Sequence, residues 1–150
     1  MKKPRCISRS AIAGGIMAVL PACGGQESDE EMGMPAAAPA VVITSPANNA
    51  TIEGNVRLTL ETRSMEIRPA GTDEPGTGHH HLFVDRDLTP IGEPIPTEDG
   101  IIHLGLAQTE YVIENFAPGE HMIIAVIGDY QHVRLREVAT DTVRVVVSGT

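Results

Sequence analysis

The clearest pattern in the chain is alternation. Val56, Leu58 and Leu60 are separated by Arg57, Thr59 and Glu61, the period of a strand with one buried face. Val143, Val145 and Val147 repeat it near the end, and Leu82/Val84 and Tyr111/Ile113 give shorter versions. His121 to Ile127, HMIIAVI, is almost unbroken apolar sequence, which predicts a central strand covered on both faces. Further upstream, VVITSPANNATIEG reads as a strand, a Ser-Pro break, an Asn-Asn turn and a return. No segment carries an apolar stripe at helical spacing.

These segments predict about seven strands, at 41–44, 56–61, 80–84, about 101–104, 109–114, 121–128 and 142–148. Taken in order as strands A to G, they predict an all-β fold, an immunoglobulin-like antiparallel β-sandwich over residues 41–150. The stretch 86–100, RDLTPIGEPIPTEDG, has too many prolines for a regular strand and is expected to lie across a sheet face. Phe83, Met122, Ile124 and Val126 would form an apolar patch on that face. Either the 86–100 segment or a partner protein of the envelope would cover it.

The N-terminus predicts location. Lys2, Lys3, Arg5 and Arg9 precede Ala11 to Leu20, an apolar run of about ten residues, short for a membrane span but typical of a secretory signal. It ends on Leu20-Pro21-Ala22-Cys23, which resembles a bacterial lipobox. Residues 1–22 are therefore expected to be a lipoprotein-type signal peptide and Cys23 the lipidated residue. Several acyl chains on Cys23 would give stable anchoring to a lipid bilayer. Gly24 rather than Asp after the cysteine favours the outer membrane, with the domain on the periplasmic side. Residues 23–40, acidic and then Pro/Ala-rich, read as a disordered tether. Met32 and Met34 within it read as incidental linker residues.

Cleavage changes the chemistry available. Cys6 leaves with the signal and Cys23 carries lipid, so the domain has no thiol for a disulfide, a thiolate metal site or a nucleophile. The net charge of -9 comes from eleven basic and twenty acidic residues. Losing four basic residues leaves seven Arg against twenty acids, or about -13. Nucleic acid is excluded as a partner by that field, and a cation is favoured.

The candidate chemistry lies in the histidines. Three of the six occur together in GTGHHHLFVD, as His79, His80 and His81. Side chains alternate along a strand, so His79 and His81 share one face, while His80 faces the core with Leu82 and Val84. In the sandwich topology, the start of the third strand, the end of the fourth and the end of the sixth meet at one rim. His79, His81, His103 and His132 are the predicted metal ligands there, with Asp129 as a further ligand or an orienter. His121 lies at the other end of its strand and is expected to point inward and hydrogen-bond a turn. Asp85 leaves its strand at that same far end, away from the cluster. Imidazoles without thiolate suit a divalent transition metal, and outside the cytoplasm copper or zinc leads.

Several pieces together resemble a bacterial family, domain of unknown function 4399. They are PAGTDEPGTGHHHLFVDRDL, GEPIP, IIHLGLAQTE, APGEH and IGDYQH, spread over roughly Pro69 to Val147. The resemblance implies the fold unit and no activity. Family members often read Gly-Asp-His-x-His where this chain has Gly128-Asp129-Tyr130-Gln131-His132, so Tyr130 leaves one fewer ligand. At the level of fold analogy, extracytoplasmic copper carriers and copper/zinc dismutases also place histidines on β-sandwich frames.

Three functions follow as expectations. The first is an envelope-anchored lipoprotein that binds copper or zinc as a carrier, buffer or sensor. The second is a non-catalytic interaction or structural module of the envelope. The third is a metalloenzyme of dismutase type, which needs an open coordination position and a substrate path. Other enzyme classes lack their motifs: there is no Gly-x-Ser-x-Gly, no phosphate loop and no His-Glu-x-x-His. No Trp and only two Phe argue against a sugar-binding sandwich.

Overall fold

A computed structural model describes residues 37–149; the segments expected to be a signal peptide and most of a tether, with Cys23, Met32 and Met34, lie outside them. Nine strands follow in order: β1 (Ala40–Ser45), β2 (Ala50–Glu53), β3 (Val56–Arg63), β4 (Glu66–Ile67), β5 (Thr77–Val84), β6 (Ile101–Leu104), β7 (Glu110–Ile113), β8 (Gly119–Gly128) and β9 (Asp141–Ser148). They form two sheets. The smaller has the order β1-β3-β7, and in the larger β2, β9, β8 and β5 are successive neighbours. The far edge of β5 is shared, with β4 beside Thr77 and Gly78 and β6 beside His80 to Phe83.

The alternating strands place their apolar residues between the sheets. Val41, Ile43, Val56, Leu58 and Leu60 from the smaller sheet meet Leu82, Ile123, Ala125, Ile127, Val143, Val145 and Val147. Burying each such side chain contributes roughly 1.5–3 kcal/mol. This is an all-β immunoglobulin-like sandwich.

Two features depart from the strand assignment made on sequence. After Pro46 the chain does not return along β1. It crosses to the larger sheet, where β2 runs parallel to β9. The segment 101–104 was expected as the fourth strand of the sandwich, but it pairs antiparallel with β5 in the larger sheet. Alternation gives a strand its faces and leaves its neighbours open, so periodicity could not make this choice.

β8 is covered on both faces, as its continuous apolar run demands. On the outer face Phe83, Ile124 and Val126 pack under Ile95, with Leu88, Ile101 and Met122 around them. Residues 86–100 therefore do cross this face, as a strap. Its backbone is tied to the β8–β9 loop by Gly92 N–H to Arg134 O at 3.0 Å, Arg134 N–H to Glu93 O at 3.0 Å and Ile95 N–H to His132 O at 2.8 Å. The Arg134 guanidinium adds a hydrogen bond to Thr89 O at 2.6 Å. The strap thus both covers the apolar face and fixes the segment that carries His132.

Candidate metal centre

Strand alternation divides the histidine triplet. His80 points into the space between the sheets and is fully buried. Its Nδ1 lies 3.0 Å from Gln108 O, and its Nε2 lies 3.1 Å from Thr62 Oγ1. A carbonyl can only accept, so Nδ1–H donates to Gln108 and Nε2 accepts from the Thr62 hydroxyl. Both ring nitrogens are occupied and the ring is neutral; burial lowers its pKa, against the opposing effect of the Gln108 carbonyl. His80 joins the two sheets and has no lone pair left for an ion.

His79 and His81 project from the opposite face of β5. His81 is directly across from His103 on β6, which places those two side chains on the same face. His132 comes from the β8–β9 loop and folds over them. Ring centroids of all six pairs among His79, His81, His103 and His132 lie 4.7–5.6 Å apart. One nitrogen from each ring falls within 4.8 Å of the others. Two Nε2 pairs are closer still, at 3.0 Å for His79–His81 and 3.2 Å for His103–His132. Four nitrogens around a tetrahedral ion at 2.0–2.1 Å would be separated by about 3.3 Å. Small movements of these rings would bring the four nitrogens to that spacing, so the group could hold a metal ion. The site lies on the outer face of the larger sheet near the end of β8. Sequence topology had it at the rim of the sandwich.

Glycines make the convergence possible. Gly128 is paired with His79 across β5 and β8, and a Cβ there would sit 3.0 Å from His81 Nε2. A Cβ on Gly105 would lie 2.4 Å from His103 Cε1. The loop contributes strain of a different kind. His132 has a φ of 65°, an uncommon region for a residue with a side chain. Asp129 holds that turn: its Oδ1 accepts the amides of Gln131 at 2.8 Å and Val133 at 2.9 Å. Asp129 is outside the group of nitrogens that approach one another. It shapes the loop that presents His132.

The electrostatics disfavour charge on His79, His81 and His103. Burial, then repulsion from His132 and His103, lowers His79 to about 4, with Asp129 opposing. Burial, then His79, His103 and His132, lowers His81 to about 3. His103 is lowered by burial and by His132. A neutral imidazole is the form that ligates, so around neutral pH these rings have lone pairs to offer. Within each close Nε2 pair only one nitrogen can hold a proton, and a cation could replace it. The other ring nitrogen of His81 has no hydrogen-bond partner.

His121 stands apart at the far end of β8. Its Nδ1 is 2.6 Å from Asp85 Oδ2, its Nε2 is 2.8 Å from Ala117 O, and its ring stacks on Phe116. Burial lowers its pKa, but the Asp85 and Ala117 acceptors outweigh that and the net shift is upward. A histidine beside an aspartate resembles a catalytic pair. Here Nε2–H is committed to a turn carbonyl, so the ring cannot act as a general base. Asp85 also accepts the Met122 amide at 2.8 Å and closes that end of the sheet.

Comparison with known proteins adds little about activity. A solved structure of Clostridium thermocellum CbhA fibronectin(III)-like modules is similar over 75% of this chain, at 20% identity and a TM-score of 0.42. This chain spans about half the length of that structure, 47%. No curated protein matches the chain in sequence. Residues 56–148 match the model of a family described as a domain of unknown function, DUF4399, and so include every candidate ligand. The chain belongs to the DUF4399 family.

Proposed function

We propose that this protein binds a divalent transition-metal cation through His79, His81, His103 and His132. The observation that carries the reading is the approach of four imidazole nitrogens to within 4.8 Å of one another from three separate segments. Such rings repel one another when charged, and no structural duty like that of His80 accounts for them. An all-imidazole set suits copper or zinc. With the lipobox at Leu20 to Cys23, the reading is of an envelope-anchored lipoprotein acting as a copper or zinc carrier, buffer or sensor. An interaction module loses its main support, because the strap already covers the apolar sheet face.

Protein purified without an affinity tag should contain about one equivalent of copper or zinc by elemental analysis. A metal-free preparation that takes up neither ion contradicts the proposal. The anchor is tested separately, by mass spectrometry of the mature chain. An acylated Cys23 at the N-terminus is expected, and an unmodified cysteine or a retained Met1 contradicts it.

A further inference from the structure

The four rings differ in what lies beside them. His79 and His81 are 1% and 2% exposed, whereas His103 is exposed and His132 half-buried. On the open side is a cavity of about 280 Å³, to which His81, His103 and His132 all contribute. His79 does not line it. Pro94, Ile95, Pro96 and Ile101 give the cavity apolar walls, and Thr97 and Gln131 are its polar members besides the histidines.

Charge then becomes the deciding quantity. Four neutral imidazoles contribute no negative charge, so a divalent cation among them keeps its full +2. Asp129 in the adjoining loop is near enough to act on His79, but its Oδ1 is already held by two amides and it carries one negative charge, so at least one positive charge is left over. An uncompensated charge beside apolar walls is costly, and a counter-ion that can enter the cavity relieves it. A water occupies about 30 Å³ of liquid, so the cavity has room for an anion of a few atoms.

Resting on the cation-binding reading, we infer that this cavity is an anion site. A small monovalent anion with an oxygen or nitrogen donor enters beside Thr97 and Gln131. It becomes a further ligand to the cation, from the side that His81, His103 and His132 present to the cavity. The centre is then open to exchange rather than closed by its four rings.

Azide and Cu(II) provide the probes. The full chain is first loaded with Cu(II), its copper content is measured, and azide is then titrated while the azide-to-copper charge-transfer absorption is followed. The expected result is saturable binding of one azide per copper with no loss of metal. Thr97→Trp and Gln131→Trp, which fill the cavity from its solvent side, should each keep the copper and weaken azide at least tenfold. A spectrum unmoved by azide while copper stays bound overturns the anion site and leaves the cation site standing. Equal azide affinity in wild type and both variants overturns it too, because the anion would then bind elsewhere. Failure to load Cu(II) at the first step overturns the anion site, and failure of a parallel sample to take up Zn(II) as well overturns the cation site too.

Discussion

His81 and His103 face each other across the β5–β6 pair, their rings stacked at 25° with centroids 5.0 Å apart. This cross-strand pair anchors the cluster, because His79 is two residues away on the same face and His132 closes from above. Each ring is positioned by a feature that can be removed separately.

Gly105 gives the His103 ring its space. In Gly105→Ala the new methyl would fall 2.4 Å from Cε1, so the ring must swing away from the other three. Cation affinity should fall by about tenfold or more, comparable to losing an outer-shell support. Thermal stability should change little, since the residue is only half-buried. Unchanged affinity by calorimetry would mean that His103 is not a ligand.

His80 and His81 are neighbours with opposite roles. His80→Ala removes the partners of Thr62 and Gln108 between the sheets and should cost about 2–4 kcal/mol of stability. Folded His80→Ala should bind the cation with wild-type stoichiometry. Denaturant titration and metal uptake on the same sample distinguish the roles; loss of metal from a folded His80→Ala protein would contradict the assignment.

Asp129 separates charge from geometry. Asp129→Asn retains an oxygen for the Gln131 and Val133 amides and should keep most of the affinity. Asp129→Ala frees the loop and its left-handed His132, and should weaken binding roughly tenfold. If both variants lose affinity equally, the carboxylate itself meets the ion.

In metal-free protein, acid should act through the buried rings, His80 between the sheets and His79 and His81 in the cluster. Unfolded, each has the ordinary histidine pKa of 6.5; folded, His79 is at about 4 and His81 at about 3. The unfolded chain thus binds more protons over that interval, so stability falls as pH drops from about 6.5 and continues falling through about 4. His121 has the opposite sign: its stabilisation is present below 6.5 and is lost as pH rises through its raised folded value. Urea midpoints between pH 7 and 5 should fall in wild type and stay flatter in a His79→Asn, His81→Asn variant. Equal slopes would contradict the account.

Much of this was legible from parity. Period-two alternation separated His80 from His79 and His81, and the apolar run of β8 required cover that the proline-rich strap supplies. The position of His121 at the other end of β8 was equally readable. The neighbour of β6 was not legible, because His103 could reach the same site from either sheet. Nor were the roles of Gly105 and Gly128, which depend on where rings from other strands come to rest. The part played by Asp129 was visible only as an acid near a histidine. Its two amide hydrogen bonds depend on the turn geometry of one loop.

The most direct test is calorimetry with Cu(II) and with Zn(II), on the wild-type chain and a His81→Ala, His103→Ala double variant. The account predicts one site in the wild type for at least one of these ions, and at least a hundredfold weaker binding in the double variant. Identical affinity in the two proteins would contradict it.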